Sequence, residues 1–225
     1  MQKDYIVISL GGSILVPQEV DIEFLKSFVS FIKEQVSLGK SFGIITGGGH
    51  VARVYRDALK GVGVSSSDTL DWMGIGATRL NAVLLRHAFG TEENIFLEPK
   101  DAQIGEDIII GGGWKPGHSS DGAAVELARV LHAKTVLNLS NIDYVFTDDP
   151  RKNPNAEKIE KISWTDFKKL LPESWDPGIN APFDPIAARM AEESGIKVVV
   201  MNGKNIDNLK KYFSGESFSG TVIEG

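Results

Sequence analysis

The chain contains no cysteine. That absence excludes disulfide cross-links, thiolate metal centres and a cysteine nucleophile. Histidine is scarce as well: His50, His87, His118 and His132 are the four present, scattered without the spacing of a metal-ligand set. No apolar run approaches the roughly 20 residues needed to span a bilayer. Positive charge is in deficit, with 24 Lys and Arg against 30 Asp and Glu and a net charge of −6. Nothing in that balance points to nucleic acid or an acidic membrane surface as partner. The first residues, Met-Gln-Lys-Asp-Tyr-Ile-Val-Ile-Ser-Leu, read as an immediate strand and not a signal peptide. Without a secretory signal the Asn138-Leu139-Ser140 sequon is a chance match. A cytoplasmic protein is the expectation.

What is present is an ordinary globular composition, 42% hydrophobic and 24% charged over 225 residues. The length suits one large α/β domain or two tightly joined lobes. Short apolar runs at Tyr5–Leu10, Phe42–Thr46, Asp107–Ile110, Thr135–Leu139 and Ile196–Met201 predict buried strands. Helical spacing covers Asp21–Leu38, His50–Leu59, Leu70–Phe89, Ala123–Leu131 and Asp184–Glu193, with Gly39 placed as a helix stop. Continuous apolar strands alternating with helices predict a largely parallel sheet covered on both faces. The irregular stretches are Asp148–Asn155 and the loop around Pro172–Pro182.

Glycine is where the sequence becomes specific. Three predicted strands run into clusters at Gly11-Gly12, Gly47–Gly49 and Gly111–Gly113. In a parallel sheet all three fall on the carboxyl edge, where ligands of open α/β sheets collect. Glycine lets backbone N–H groups approach an anion, and the helix after Gly49 adds its own unpaired N–H groups and partial positive charge. Arg53 adds a forked cationic donor. The clusters together suggest a ligand with several phosphates, or two phosphorylated ligands facing each other. Gly39-Lys40-Ser41 is no Walker A loop, because Glu34 stands at the first glycine and a helix precedes it. Gly47-x-Gly49-x-x-Ala52, with Asp68 or Asp71 downstream, does fit a dinucleotide fingerprint, although it follows the second strand.

The ordered set of motifs narrows this further. Gly11-Gly12-Ser13 comes first, then Gly47-Gly48-Gly49-x-x-Ala52-Arg53 and Asp71-x-x-Gly74-Ile75-x-Ala77-Thr78-Arg79-Leu80-Asn81-Ala82. Pro116-Gly117-His118-Ser119-Ser120-Asp121, Asn141-x-Asp143-x-Val145-Phe146-x-x-Asp149-Pro150 and Asp184-Pro185 follow, and the match runs on to Gly220-Thr221-Val222-Ile223. In this order they resemble the amino acid kinase superfamily, and within it the archaeal-type uridylate (UMP) kinases.

The resemblance implies a three-layer αβα sandwich, one domain over 1–225, with a UMP-binding half at 1–133 and an ATP-binding half at 134–225. It implies transfer of the ATP γ-phosphoryl group to UMP. Gly12, Arg53, Asp121 and Asp184 would be the catalytic set. Gly12, Ser13, Gly49, Arg53, Ser140, Asn141, Phe146 and Asp149 would hold ATP. Gly48, Asp71 and the loop Trp114, Lys115, Pro116, Gly117, His118, Ser119 and Ser120 would hold UMP, Asp71 through the ribose, with Arg53 also able to serve that side. Asp184 would be the Mg²⁺-linked carboxylate. A cytoplasmic homohexamer, with neither nucleic acid nor membrane as partner, is implied as well.

Taken singly, several of these residues have plainer readings. Asp184 and Asp121 suit helix N-caps, Asp71 a solvated first turn, Phe146 the core, and Asp148-Asp149 an acidic turn. Arg79 and Arg86 suit a surface or a subunit contact. Two departures from the superfamily pattern matter. Ser9 stands where many members carry a lysine that stabilises the transferring group, which places more weight on Arg53, backbone N–H groups and Mg²⁺. Tyr144 replaces a glycine near the ATP site and cannot take a positive φ without strain, so a reshaped nucleoside edge is expected. Alternatives on the same residues are a kinase with another small phosphate, carboxylate or carbamate acceptor, a non-catalytic nucleotide or oxyanion binder, and an NAD-binding protein.

Overall fold

The computed structural model describes residues 3–91, 94–172 and 181–225. In chain order the elements are β1 (Tyr5–Leu10), α1 (Gly12–Leu15), α2 (Ile22–Ser37), β2 (Ser41–Thr46), α3 (Gly49–Gly61), α4 (Ser67–Phe89) and β3 (Ile108–Gly111). Then come α5 (Ser120–Val130), β4 (Thr135–Ser140), β5 (Val145–Phe146), β6 (Lys158–Ile159), β7 (Lys161–Ile162) and α6 (Trp164–Lys169). The chain ends with α7 (Pro185–Glu193), β8 (Lys197–Asn202), α8 (Ile206–Ser214) and β9 (Thr221–Ile223).

Seven strands form one sheet in the order β3-β2-β1-β4-β8-β9-β7. Pairing is parallel from β3 through β8, antiparallel between β8 and β9, and parallel again between β9 and β7. Alternation along the strands builds the layers. Val7, Ile45, Val136, Val198 and Val200 point to one face, where α5, α6 and α7 bring Leu127, Phe167 and Ala188. Ile8, Leu10, Ile44, Leu137, Val199 and Met201 point to the other, against Phe28 of α2, Leu85 of α4 and Leu209 of α8. This is the three-layer αβα sandwich with a largely parallel sheet that the sequence implied.

Helix ends follow local chemistry. The Asp21 carboxylate accepts the Phe24 N–H at 3.0 Å and starts α2, and Gly39 at φ +85° ends that turn. Ser66 caps α4, which stops at a left-handed Gly90. The loop expected around Pro172–Pro182 lies mostly outside the described residues.

Strand order decides where a ligand can bind. From β1 the chain adds β2 and β3 on one side, then crosses to add β4 and β8 on the other. The seam between β1 and β4 is therefore the switch point of the sheet, and a crevice opens beyond its carboxyl ends.

Candidate active site

The first two glycine clusters meet at this seam. Gly11 N–H donates to the Leu139 carbonyl and Gly47 N–H to the Leu10 carbonyl, both at 2.8 Å. A Cβ on Gly12 would lie 2.1 Å from the Gly49 nitrogen, and one on Gly47 would lie 2.5 Å from the Gly12 nitrogen. Gly49 has φ +60° and would place a Cβ 2.3 Å from the Gly12 oxygen. The two loops thus interlock backbone to backbone, a reason for glycine independent of any ligand. Asn81 secures the second loop from α4 by donating to the Gly47 carbonyl at 2.8 Å. That mutual contact gives Gly47 and Gly49 a task other than cradling a pyrophosphate.

The third cluster has a packing cause. A Cβ on Gly111 would strike the Phe96 ring at 2.3 Å, and one on Gly112 would meet Thr78 Oγ1 at 2.8 Å. Gly113 N–H donates to Thr78 Oγ1 at 2.6 Å. These glycines let α4 and Phe96 lie close against the end of β3.

Beside the glycine loops is a cavity of about 230 Å³. Its walls are Gly48, Ala52 and Arg56 at α3, Asp71, Gly74, Ile75 and Thr78 of α4, Gly113, His118, Ser119, Ser120 and Asp121 before and within α5, and Ala181 and Asp184. Another cavity, about 260 Å³, lies at the outer β3 edge between Arg86, Phe96, Glu106 and Ile109. It contains none of the site residues expected from the sequence, so the smaller cavity is the candidate site.

At its floor is a polar cluster buried on a face that is otherwise apolar. Ser9 and Asn138 are register partners on β1 and β4 and share the face that meets α5. Both side chains donate to Asp121 Oδ1, at 2.8 Å and 3.3 Å, and the Asp184 N–H reaches Asp121 Oδ2 at 3.3 Å. Burial, reinforced by the negative charge of Asp184, pushes the Asp121 carboxyl up to about 6, against the opposing hydrogen bonds from Ser9 and the Asp184 N–H. Asp121 is no cap, since Ser119 fills that role and accepts the Gly122 N–H at 3.1 Å. Asp184 does cap its helix, accepting from Ile186 N–H at 2.6 Å and Ala187 N–H at 3.3 Å, and its second oxygen takes the Ser119 hydroxyl. One carboxylate therefore ties the start of α7 to the start of α5.

The loop from Trp114 to Ser120 is pinned to α4 at two points. Asp71 Oδ2 accepts the Gly117 N–H at 2.8 Å, where Gly117 has φ +77°. Arg79 donates to the Trp114 carbonyl at 3.3 Å and the Leu97 carbonyl at 3.4 Å. Asp71 lies in the second turn of α4, half-buried, and not in a solvated first turn. Arg79, read from sequence as surface or subunit contact, is a loop anchor. Within the loop His118 packs edge-on against Trp114 at 5.0 Å, and Lys115 Nζ sits 4.0 Å from the Trp114 ring centre.

On the β4 side, Gly12 and Ser13 open α1, and Ser140 ends β4, its hydroxyl accepting the Ile142 N–H at 3.4 Å. Asn141 is exposed, and Phe146 is half-buried in the β5–β6 hairpin. Asp149 is held by both arms of Arg151 at 2.9 and 3.0 Å, which keeps its carboxyl below the usual range. Tyr144 is not in the left-handed region; His132 is the non-glycine residue found there among those described. The backbone at Tyr144 thus avoids the strain that copying a glycine conformation would bring.

Arginine placement departs from the motif reading. Arg53 is exposed, its guanidinium 3.5 Å from the Pro17 carbonyl, and it does not line the cavity. Arg56 does, one turn beyond Ala52 on the same stripe of α3. The signal for it was available: Gly48, Ala52 and Arg56 recur at four-residue intervals.

The chain's relatives agree with this architecture. The sequence profile of the amino acid kinase family matches residues 4–109 and 103–202. A uridylate kinase of Pyrococcus abyssi is 35% identical over 97% of this chain and 99% of its own. One from Hyperthermus butylicus is 32% identical over the full length of both. The crystal structure of uridylate kinase from Archaeoglobus fulgidus superposes with a TM-score of 0.81 at 31% identity, covering 97% of this chain and 99% of that one. With its fold, its interlocked glycine loops and this full-length similarity, the chain belongs to the amino acid kinase family.

Proposed function

We propose that this protein is a uridylate kinase, an enzyme that transfers the γ-phosphoryl group of ATP to UMP and releases UDP and ADP. The carrying observation is a convergence: Gly48 of the second glycine loop, His118–Ser120 of the pinned loop and the Asp121–Asp184 pair all border one cavity, in a chain that aligns end to end with uridylate kinases. A phosphate oxygen of UMP attacks the γ-phosphorus, a new O–P bond forms, and the bond to the β-bridging oxygen breaks. The acceptor is already an anion, so the protein's work is alignment and charge compensation.

The cavity suits the acceptor. Gly48 and Ser120 offer N–H and O–H donors on the wall of the cavity, while Ser119, whose hydroxyl is given to Asp184, shapes the wall beside them. His118 lines the cavity, and we assign it with Trp114, Lys115, Pro116 and Gly117 of the same loop to the base of UMP, with Asp71, which tethers that loop at Gly117, on the ribose side. The donor belongs across the β1–β4 seam, with Gly12, Ser13 and Gly49 near its phosphates and Ser140, Asn141, Phe146 and Asp149 near its nucleoside. We assign Arg53, which lies outside the cavity near Pro17, to the donor triphosphate. We infer from this division an acceptor half at 1–133 and a donor half at 134–225.

Among the described residues no group of three or more His, Cys, Asp or Glu is arranged to hold a metal ion. Mg²⁺ nonetheless fits the donor chemistry here. Asp184, with Asp121 beside it at the cavity wall, would hold it through carboxylate oxygens, since Mg²⁺ is commonly held by one or two carboxylates plus substrate phosphates. When bound it would neutralise charge developing on the phosphoryl oxygens. Among the described residues no helix is long and apolar enough to cross a membrane, and we assign the enzyme to the cytoplasm. We also infer a homo-oligomer, a hexamer by family likeness, in keeping with exposed Trp72, Leu80 and Val83 on α4.

Phosphorus NMR on purified protein with ATP, Mg²⁺ and UMP tests the reaction. UDP and ADP are expected to rise in equal amounts as ATP and UMP disappear. ADP and free phosphate without UDP would sink the proposal.

A further inference from the structure

We propose that Arg56 binds the phosphate of the acceptor nucleotide. The proposal rests on reading the cavity beside the glycine loops as the acceptor site.

Charge within the cavity is lopsided. Asp71, Asp121 and Asp184 line it, and Arg56 is the one Lys or Arg among its described lining residues. The three carboxylates accept from N–H or O–H groups of Gly117, Ser9, Asn138, Ser119 and the start of α7, none of them a cation. A phosphate dianion entering that space meets carboxylates on several sides, and Arg56 is the side-chain cation that the described walls set against them.

Arg56 has the geometry for it. Its Nε donates to the Ala52 carbonyl at 3.3 Å, so the side chain is held back against the preceding turn of α3, on the wall that Gly48 also lines. The two terminal nitrogens have no acceptor and no carboxylate partner among the described residues, and the residue is half-buried. Across from it α4 carries Gly74, where an added Cβ would lie 3.9 Å from Arg56 Cδ and 4.0 Å from Nη1. A planar fork with free donors, set beside Gly74 in a cavity that Gly48 also lines, matches phosphate. Arg53, which the sequence motif singles out, reaches instead for the Pro17 carbonyl outside the cavity.

The test compares wild type with Arg56→Gln, Arg56→Lys and Arg53→Gln. Readouts are direct binding of UMP, CMP and AMP, steady-state KM for UMP and for ATP, and the thermal midpoint. Arg56→Gln should raise Kd and KM for UMP about 10- to 100-fold, leave KM for ATP within about twofold, and keep the fold. Arg56→Lys should recover part of the loss, which a purely structural role would not show. UMP affinity within about twofold of wild type in Arg56→Gln, in an enzyme that phosphorylates UMP, would overturn the assignment and leave the kinase reading intact. If wild type fails to phosphorylate UMP yet binds another monophosphate through Arg56, the assignment stands and the choice of acceptor falls. Binding of no monophosphate by the wild type would overturn both.

Discussion

Replacing Asp121 with asparagine should change stability in opposite directions at low and high pH. In the folded protein the Asp121 carboxyl titrates at about 6 against an ordinary 3.8. The ionised form is therefore penalised by about 3 kcal/mol once the pH is above that value. The native state holds a proton between these two values that the unfolded chain has released. Stability from this group is thus greatest below about pH 4, declines as the pH rises toward 6, and is flat beyond. Asparagine carries no such penalty. Its Oδ1 can keep the bonds from Ser9 and Asn138, at 2.8 and 3.3 Å in the wild type. Its amide nitrogen, however, replaces the oxygen that accepts the Asp184 N–H at 3.3 Å, and a donor facing a donor costs about 1 kcal/mol. The variant should be less stable than wild type by about 1 kcal/mol near pH 4 and more stable by about 2 kcal/mol at pH 8. Urea unfolding at both pH values, without nucleotide and with a chelator present, measures this. An equal difference at the two pH values, or a loss at pH 8, would refute the reasoning that Asp121 is ionised at a cost.

Two further variants probe the loops. Gly12→Ala sets a methyl 2.1 Å from the Gly49 nitrogen; separating the glycine loops should cost about 3 kcal/mol or more, read as the urea midpoint. A midpoint equal to wild type would mean the loops are not interlocked. Asp71→Ala removes the acceptor of the Gly117 N–H. It should speed hydrogen exchange at Gly117 and raise KM for UMP about tenfold while KM for ATP holds; unchanged exchange would contradict the anchoring role.

Much of the scaffold was legible because period and punctuation agreed. Val7, Val136 and Val198 fall into apolar runs too short for helices, and Gly39 marks the end of α2 by its freedom to take a positive φ. The shorter elements were not read. β5, β6 and β7 are two residues each, and such pairs gain their form from neighbours in the sheet. Helix α8 is amphipathic through Leu209, Tyr212 and Phe213, yet it is short enough to pass for a loop.

The candidate site divides in the same way. The order of motifs gathered Gly48, Asp71, Ser119, Ser120, Asp121 and Asp184, and the fold brings these to one cavity. What the sequence could not convey were contacts set by strand register and helix packing. Ser9 looks like a lost lysine until β1 and β4 are aligned, when it becomes a donor to Asp121 beside Asn138. The glycines after β3 look like anion donors until Phe96 and Thr78 are placed against them. Arg53 and Arg56 are three residues apart; the family motif draws attention to Arg53, whereas the four-residue stripe of Gly48, Ala52 and Arg56 is the one that faces the cavity.

The central claim, that UMP is the acceptor, is tested most directly by acceptor competition. ADP release is followed with ATP and Mg²⁺ while UMP, CMP, dTMP, AMP and carbamate are offered separately and then in pairs. The account predicts that UMP has the highest kcat/KM and suppresses turnover of the others. A higher kcat/KM for any other acceptor, or turnover with none, would contradict it.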